Sequence, residues 1–296
     1  MALLGVVYLV WGSTYLGIRV AVRGEGGFPP FVLGAVRLGS AGVILLALTA
    51  MMGRPVRAAR AELASHATSG LLLWVGGNGL VVWALQRVDS GYAALLMSLT
   101  PIFVVLLEAG LARRAPGVAL GRALLLGTAG IGLLSAPALA GAGGVDALGL
   151  AALVLAALSW AIGTLYQQRR HVDSDPLAAA GWQLVFAGLG FAAVALLRGE
   201  AAPSPSPQAW AALAYLVVVG SVLGFGSYVW ALRLLPGPIV MTHAYVNPVI
   251  AVLLGWALIG EPLTLWTWAG TGLILLGVVE TLREITSRGR GRGTRR

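Results

Sequence analysis

The chain has 296 residues, of which 58% are hydrophobic and only 10% charged, and it carries a formal net charge of +9 with no cysteine. A soluble domain gives about a quarter of its residues to charge, so a water-facing surface of this size is excluded. Disulfides and thiolate metal sites are excluded with it.

Apolar runs long enough to cross a hydrocarbon core of about 30 Å recur along the whole length, which predicts an all-α polytopic membrane protein. Ten spans are expected, at 2–22, 31–52, 68–86, 90–112, 117–137, 146–166, 177–197, 210–232, 237–259 and 264–282. The first lacks a basic leader region and a small-residue cleavage site, and reads as a retained span. It holds the polar cluster of Trp11, Ser13, Thr14 and Tyr15. The second begins at Pro30 and carries Arg37 seven residues on; the third offers Trp74 and Asn78, four apart.

In the fourth span Pro101 removes a backbone donor, as a static kink or as a hinge with a freed carbonyl. Glu108 lies seven residues before the turn centred on residue 115, and Arg122 of the fifth span lies seven after it. Antiparallel helices bring such positions to one depth, so a structural Glu108–Arg122 salt bridge is expected. The sixth span contributes Trp160 and Thr164, the eighth Ser227 and Tyr228, and the ninth His243, Asn247 and a second mid-span proline, Pro248. Gly220 with Gly224, and Gly270 with Gly277, are spaced for close helix packing.

All twenty basic residues are arginine, and they sort by loop. With the N-terminus inside, fourteen fall on the cytoplasmic side and four (Arg19, Arg23, Arg87 and Arg198) on the outer side. This positive-inside bias places both termini in the cytoplasm. The tail "RGRGRGTRR" reads as a lipid-headgroup contact or a disordered orientation signal rather than a nucleic-acid element.

The chain repeats itself. "WALQRVDSGYAALLMSLTP" (83–101) aligns without gaps to "WALRLLPGPIVMTHAYVNP" (230–248) at an offset of 147, which sets Pro101 on Pro248 and carries Gly130 onto Gly277. Pro30 and Arg37 match Pro176 and Gln183, and Trp11 matches Trp160. The expected organisation is a five-helix repeat over 1–140, a second over 141–282 and a basic tail over 283–296. An odd number of spans per half inverts the second repeat, the architecture of alternating-access carriers.

"WGSTY", "SWAIGT", the prolines of spans four and nine, and "GEPLTLWTWAGTGLILLGV" (260–278) resemble the drug/metabolite transporter superfamily, specifically its EamA-type members, across essentially the whole chain. The resemblance implies a secondary transporter of the bacterial inner membrane, most like exporters of amino acids and related metabolites. Small multidrug members carry a Glu in the first helix for proton exchange; Ser13 and Thr14 stand there instead, which favours neutral or zwitterionic solutes.

Polar groups in hydrocarbon are costly unless they meet each other or line water. The expected substrate cavity therefore gathers His243, Asn78, Trp160, Trp11, Ser13, Thr14, Tyr15, Thr164, Tyr228 and Asn247 between the halves, with Pro101 and Pro248 as hinges. Arg37, about 10 Å below the outer face at helical rise, either holds span-end carbonyls or attracts a carboxylate. A proton-coupled multidrug efflux carrier using His243, or a channel, are the competing readings. No nucleotide-binding P-loop, zinc motif or nucleophile elbow is present, so neither enzyme activity nor a cofactor is expected. The partners expected are a small-molecule solute and lipid, with the chain a monomer.

Overall fold

The computed structural model describes residues 2–113, 118, 121–122, 125–127, 129–130, 132–133, 146–170, 172–234 and 243–293. All regular elements among them are helical. In chain order they are α1 (Ala2–Val22), α2 (Pro30–Met51), α3 (Arg60–Gly70), a π-helical segment (Leu71–Asn78), α4 (Gly79–Ala84), α5 (Ser90–Met97) and α6 (Thr100–Leu111). There follow α7 (Ala147–Arg169), α8 (Pro176–Leu197), α9 (Pro207–Tyr215), a second π segment (Leu216–Leu223), α10 (Gly224–Leu234), α11 (His243–Ile259) and α12 (Leu265–Gly293).

Seven of the described helical runs are long and apolar enough to cross a membrane, and two shorter apolar helices follow within α11 and α12. The expected fifth span, the turn at residue 115 and the start of the ninth lie largely or wholly outside the described residues. The third run begins at Arg60, not 68, because Glu62 accepts the Ala59 N–H at 2.8 Å and caps the added turns. The last helix continues through residue 283 to Gly293.

The centre of the molecule is the crossing of α2 and α8. Gly34 faces Phe191, Gly39 faces Gly188, and Gly42 faces Gly181 and Val185, so the two helices run antiparallel. The contacts of Gly42 with Gly181 and Val185 recur, 146 residues on, as those of Gly188 with Ala35 and Gly39. Both helices end in a glycine in the left-handed region, Gly53 at φ 69° and Gly199 at φ 63°, again 146 apart. Such a C-terminal glycine satisfies helix-end carbonyls without a Cβ penalty.

The residue after each glycine reaches the N-terminus of the other helix. Glu200 accepts the N–H of Phe31 at 3.0 Å and of Val32 at 2.9 Å, supplying the cap that Pro29 cannot. Arg54 pairs at 3.0 Å with Asp175, which caps α8 by accepting the Leu177 N–H. Charges of the right sign thus sit at both helix starts.

A second fixed point joins α1, α5 and the turn before α12. Glu261 accepts the N–H of Ser90 at 2.9 Å and its hydroxyl at 2.8 Å, and pairs with Arg19 Nε at 2.8 Å. Arg19 also bonds Asp89 and the Val88 carbonyl. Beside this network α5 packs tightly on α11 through Gly91 and Val252.

Two sequence expectations change here. Arg122 pairs with Glu280 of α12 at 3.0 Å, whereas Glu108 lies exposed on α6, so the Glu108–Arg122 bridge is not formed. Pro101 marks a break within one membrane-length run, Ser90–Leu111: α5 gives way at Ser98 and Leu99, both still right-handed, and Pro101 stands in the first turn of α6. The Met97 carbonyl that Pro101 leaves without a donor takes the Thr100 hydroxyl at 2.7 Å, so it is not free for a solute.

Candidate functional site

Two tryptophans that correspond in the repeat are seated in the same way. Trp160 of α7 lies over Gly77, where a Cβ would stand 2.9 Å from its ring. Trp11 of α1 lies over Gly224, where a Cβ would again stand 2.9 Å from the indole nitrogen. Gly77 and Gly224 are 147 residues apart, at the ends of the two π segments. Each first-helix tryptophan therefore rests on the third-helix glycine of the opposite half. A π segment widens the helix by one residue per turn and recurs at functional positions.

From these seats the rings run together. Trp160 meets Trp74 edge-on at 5.4 Å between centroids, and Trp74 meets Phe225 at 5.7 Å. Phe225 stacks with Tyr228 at 6.1 Å and Trp11 at 6.4 Å; Trp11 lies 4.9 Å from Tyr228. His243 closes the series, edge-on to Trp11 at 5.1 Å and to Tyr228 at 5.8 Å. The result is one aromatic surface drawn from α1, the first π segment, α7, α10 and α11. Two polar atoms on the first π segment, Trp74 Nε1 and Asn78 Oδ1, are buried there without a hydrogen-bond partner among the described residues. They offer one donor and one acceptor, four residues apart.

Of the predicted residues, the structure brings Trp11, Trp160, Tyr228 and His243 into this surface and leaves Asn78 one turn beyond Trp74. Asn247 is buried behind it. With its amide nitrogen toward two carbonyls it donates to Tyr8 at 3.3 Å and to His243 at 3.1 Å, and its other polar atom lies 3.4 Å from His243 Nδ1. It orients the imidazole. Pro248 follows inside α11.

The rest of the opening cluster turns elsewhere. Ser13 bonds the Leu9 and Val10 carbonyls and the Tyr215 hydroxyl, Thr14 bonds the Trp11 carbonyl, and Tyr15 packs against the apolar core. The Thr164 hydroxyl bonds back to the Trp160 carbonyl at 2.9 Å. Sequence reasoning left Phe225 out of the site, because a lone phenylalanine in an apolar span carries no signal of its own. A separate groove of about 340 Å³ between α6 and α7 is lined by Phe103, Leu106, Leu107, Gly110, Leu111 and Leu158. Its lining is wholly apolar and suits a lipid tail, not a polar solute.

Comparison with known proteins bears on this arrangement. The profile of the EamA-like transporter family matches twice, over residues 1–136 and 147–283. The uncharacterized inner membrane transporter YedA of Escherichia coli (strain K12) is 32% identical over 277 residues, covering 92% of this chain and 87% of YedA. The uncharacterized transporter YoaV of Bacillus subtilis (strain 168) is 23% identical over 274 residues, covering 92% of each chain. A solved crystal structure matches with a TM-score of 0.65 over 94% of each chain at 23% identity, a likeness of fold alone.

Proposed function

The chain belongs to the EamA-like transporter family, and from that premise we propose that it carries a small amphipathic metabolite, an amino acid or a close relative, across the bacterial inner membrane. In this reading it works as an exporter or facilitator by alternating access between two inverted five-helix halves, with both termini in the cytoplasm and one chain as the unit. The observation that carries the reading is the reciprocal seating of Trp160 on Gly77 and Trp11 on Gly224. An aromatic surface drawn from both halves, Trp11 and Trp74 from the first and Trp160, Phe225, Tyr228 and His243 from the second, must open or close when the halves move against each other, which is where alternating access needs its site. The antiparallel α2–α8 crossing supports an axis for that motion, because its glycines let the two backbones slide at close range.

The mixed aromatic and neutral polar lining suits a solute with an apolar side chain. His243 gives a proton-coupled efflux carrier its one foothold, as the titratable group in the aromatic surface.

The test is counterflow in proteoliposomes with labelled amino acids, nucleobases and cationic dyes. A carrier accelerates uptake of label when unlabelled solute is preloaded, whereas a channel does not. Uptake of dyes alone, driven by a pH gradient, favours the efflux reading. His243→Ala and Trp160→Ala are expected to cut exchange at least about tenfold, roughly 1.4 kcal/mol of lost stabilisation, with membrane-inserted protein near the parent amount. Exchange at the parent rate in both variants removes the aromatic surface from the mechanism.

A further inference from the structure

Arg37 is a cation in the middle of α2 with no carboxylate to meet. It is only 4% exposed, so its guanidinium does not reach the protein surface. Nε donates to the Ser221 hydroxyl at 3.1 Å, and Nη1 is enclosed without a hydrogen-bond partner among the described residues. The ion pairs among the described residues use Arg19, Arg23, Arg54, Arg87 and Arg122, never Arg37. An arginine kept for structure at this depth spends its donors on helix-end carbonyls or on a buried carboxylate, because an uncompensated charge is heavily penalised. Arg37 does neither.

Its neighbours are hydroxyls and a glycine. Ser221 lies within the second π segment, and the preceding residue is Gly220. A Cβ at Gly220 would stand 3.6 Å from Arg37 Nη2 and 3.0 Å from the Thr14 methyl. Tyr215 lies within electrostatic range of the guanidinium, and its hydroxyl bonds that of Ser13. Ser13, Tyr215 and Ser221 thus bring hydroxyls from α1, α9 and the π segment toward one cation. Ser221 precedes Phe225 by four residues, so the guanidinium pole and the aromatic surface are separated by about one helical turn, roughly 6 Å. Gln183, which corresponds to Arg37 in the other half, is equally buried but neutral. The site therefore has a single cationic pole.

We propose that Arg37 is the anion-binding residue of the carrier, receiving the carboxylate of a monocarboxylate solute whose apolar part lies against Phe225 and Trp11. A planar guanidinium with an unpartnered Nη1 donates charge-assisted hydrogen bonds to a carboxylate. The assignment rests on the carrier reading for its biological use, but not for its chemistry. A bound chloride would offer the same charge, and the experiment separates the two.

Purified full-length protein in detergent is heated with the sodium salts of L-phenylalanine, L-leucine, L-threonine and phenylacetate, and with the corresponding carboxamides. Each series is run in chloride and in sulfate buffer of equal ionic strength. At least one acid is expected to raise the unfolding midpoint, at concentrations at least about tenfold below those its amide needs. Arg37→Gln should erase the difference between acid and amide, and Arg37→Lys should retain part of it. Without ligand, Arg37→Gln should unfold at or above the parent midpoint, since it removes a charge that nothing compensates. Equal protection by acid and amide, protection by no acid, protection by chloride with no added effect of acids, or a lower unliganded midpoint in Arg37→Gln each overturns the assignment. Counterflow distinguishes the two readings: binding of acids without exchange sinks the carrier and leaves Arg37, whereas exchange without preference for acids does the reverse.

Discussion

The Glu261 carboxylate accepts the N–H of Ser90 and Gly91 and pairs with Arg19, and both charged side chains are only 6% exposed. Removing it strands the first amides of α5 and leaves the buried guanidinium to Asp89 and the Val88 carbonyl alone. Glu261→Ala is therefore expected to destabilise by about 3 kcal/mol, the low end of the range for breaking a buried pair, because Asp89 still compensates the charge. Combining Arg19→Met with Glu261→Gln should recover part of that, since no buried cation remains and an amide oxygen still accepts from Ser90. Thermal or detergent-titrated unfolding measures both, and simple additivity of the two losses would show that they are not coupled. The sequence placed Arg19 only among the outer-side arginines; that it is buried against Asp89 and against Glu261, 242 positions away, was not legible. The same limit separates Arg122 from Glu108, because a hairpin fixes depth while the helix azimuth decides which charge is met. The opening cluster shows where residue-level reading stops. At about 100° per residue the four spread over more than half the circumference of α1: Trp11 joins the aromatic surface while Ser13, Thr14 and Tyr15 meet other neighbours, so a single cavity cannot take all four.

Among the elements, the apolar runs and the prolines that start α2 and α8 were legible, since length and hydropathy suffice for them. The two π segments were not. Both eight-residue stretches are apolar or glycine almost throughout, so they carry no alternation from which the period could be read, and the reason for Gly77 and Gly224 appears only once a tryptophan is seen lying on each. The α2–α8 crossing allows a test with its own control. A Cβ at Gly42 would stand 2.6 Å from the Val185 nitrogen, and one at Gly188 would stand 2.6 Å from the Gly39 nitrogen, backbone atoms that cannot rotate away. A Cβ at Gly39 itself meets nothing within 4 Å. Gly42→Ala and Gly188→Ala should each cost about 1–3 kcal/mol by forcing the helices apart, and Gly39→Ala should cost less than either. Unfolding of the three purified variants decides the matter; equal effects at all three positions would mean that the crossing is looser than these distances require.

At the scale of the whole molecule the question is whether the two halves exchange contacts during transport. The sequence offers an internal repeat through its prolines and tryptophans, and the family profile matches the chain twice, over 1–136 and 147–283. What it did not reveal is which end of the bundle is drawn together. The described residues supply that: α5 and α11 meet through Gly91 and Val252, beside the Arg19–Asp89–Glu261 network. In the proposed orientation, with both termini in the cytoplasm, this is the outer end. The Cβ of a residue at 91 would lie 3.6 Å from that of Val252, inside the window of about 3.5–4.5 Å that a disulfide needs. The chain has no cysteine of its own, so an introduced pair reports without background. Gly91→Cys with Val252→Cys should therefore cross-link under mild oxidation, visible as a mobility shift that reductant reverses. If the outer end must part for solute to pass, the oxidised protein loses at least about nine-tenths of its counterflow, a tenfold effect, and regains it on reduction. Each single cysteine should transport alike in both conditions. A fully cross-linked protein that still exchanges solute at the parent rate would mean that this end stays shut throughout the cycle, and alternating access through it would have to be given up.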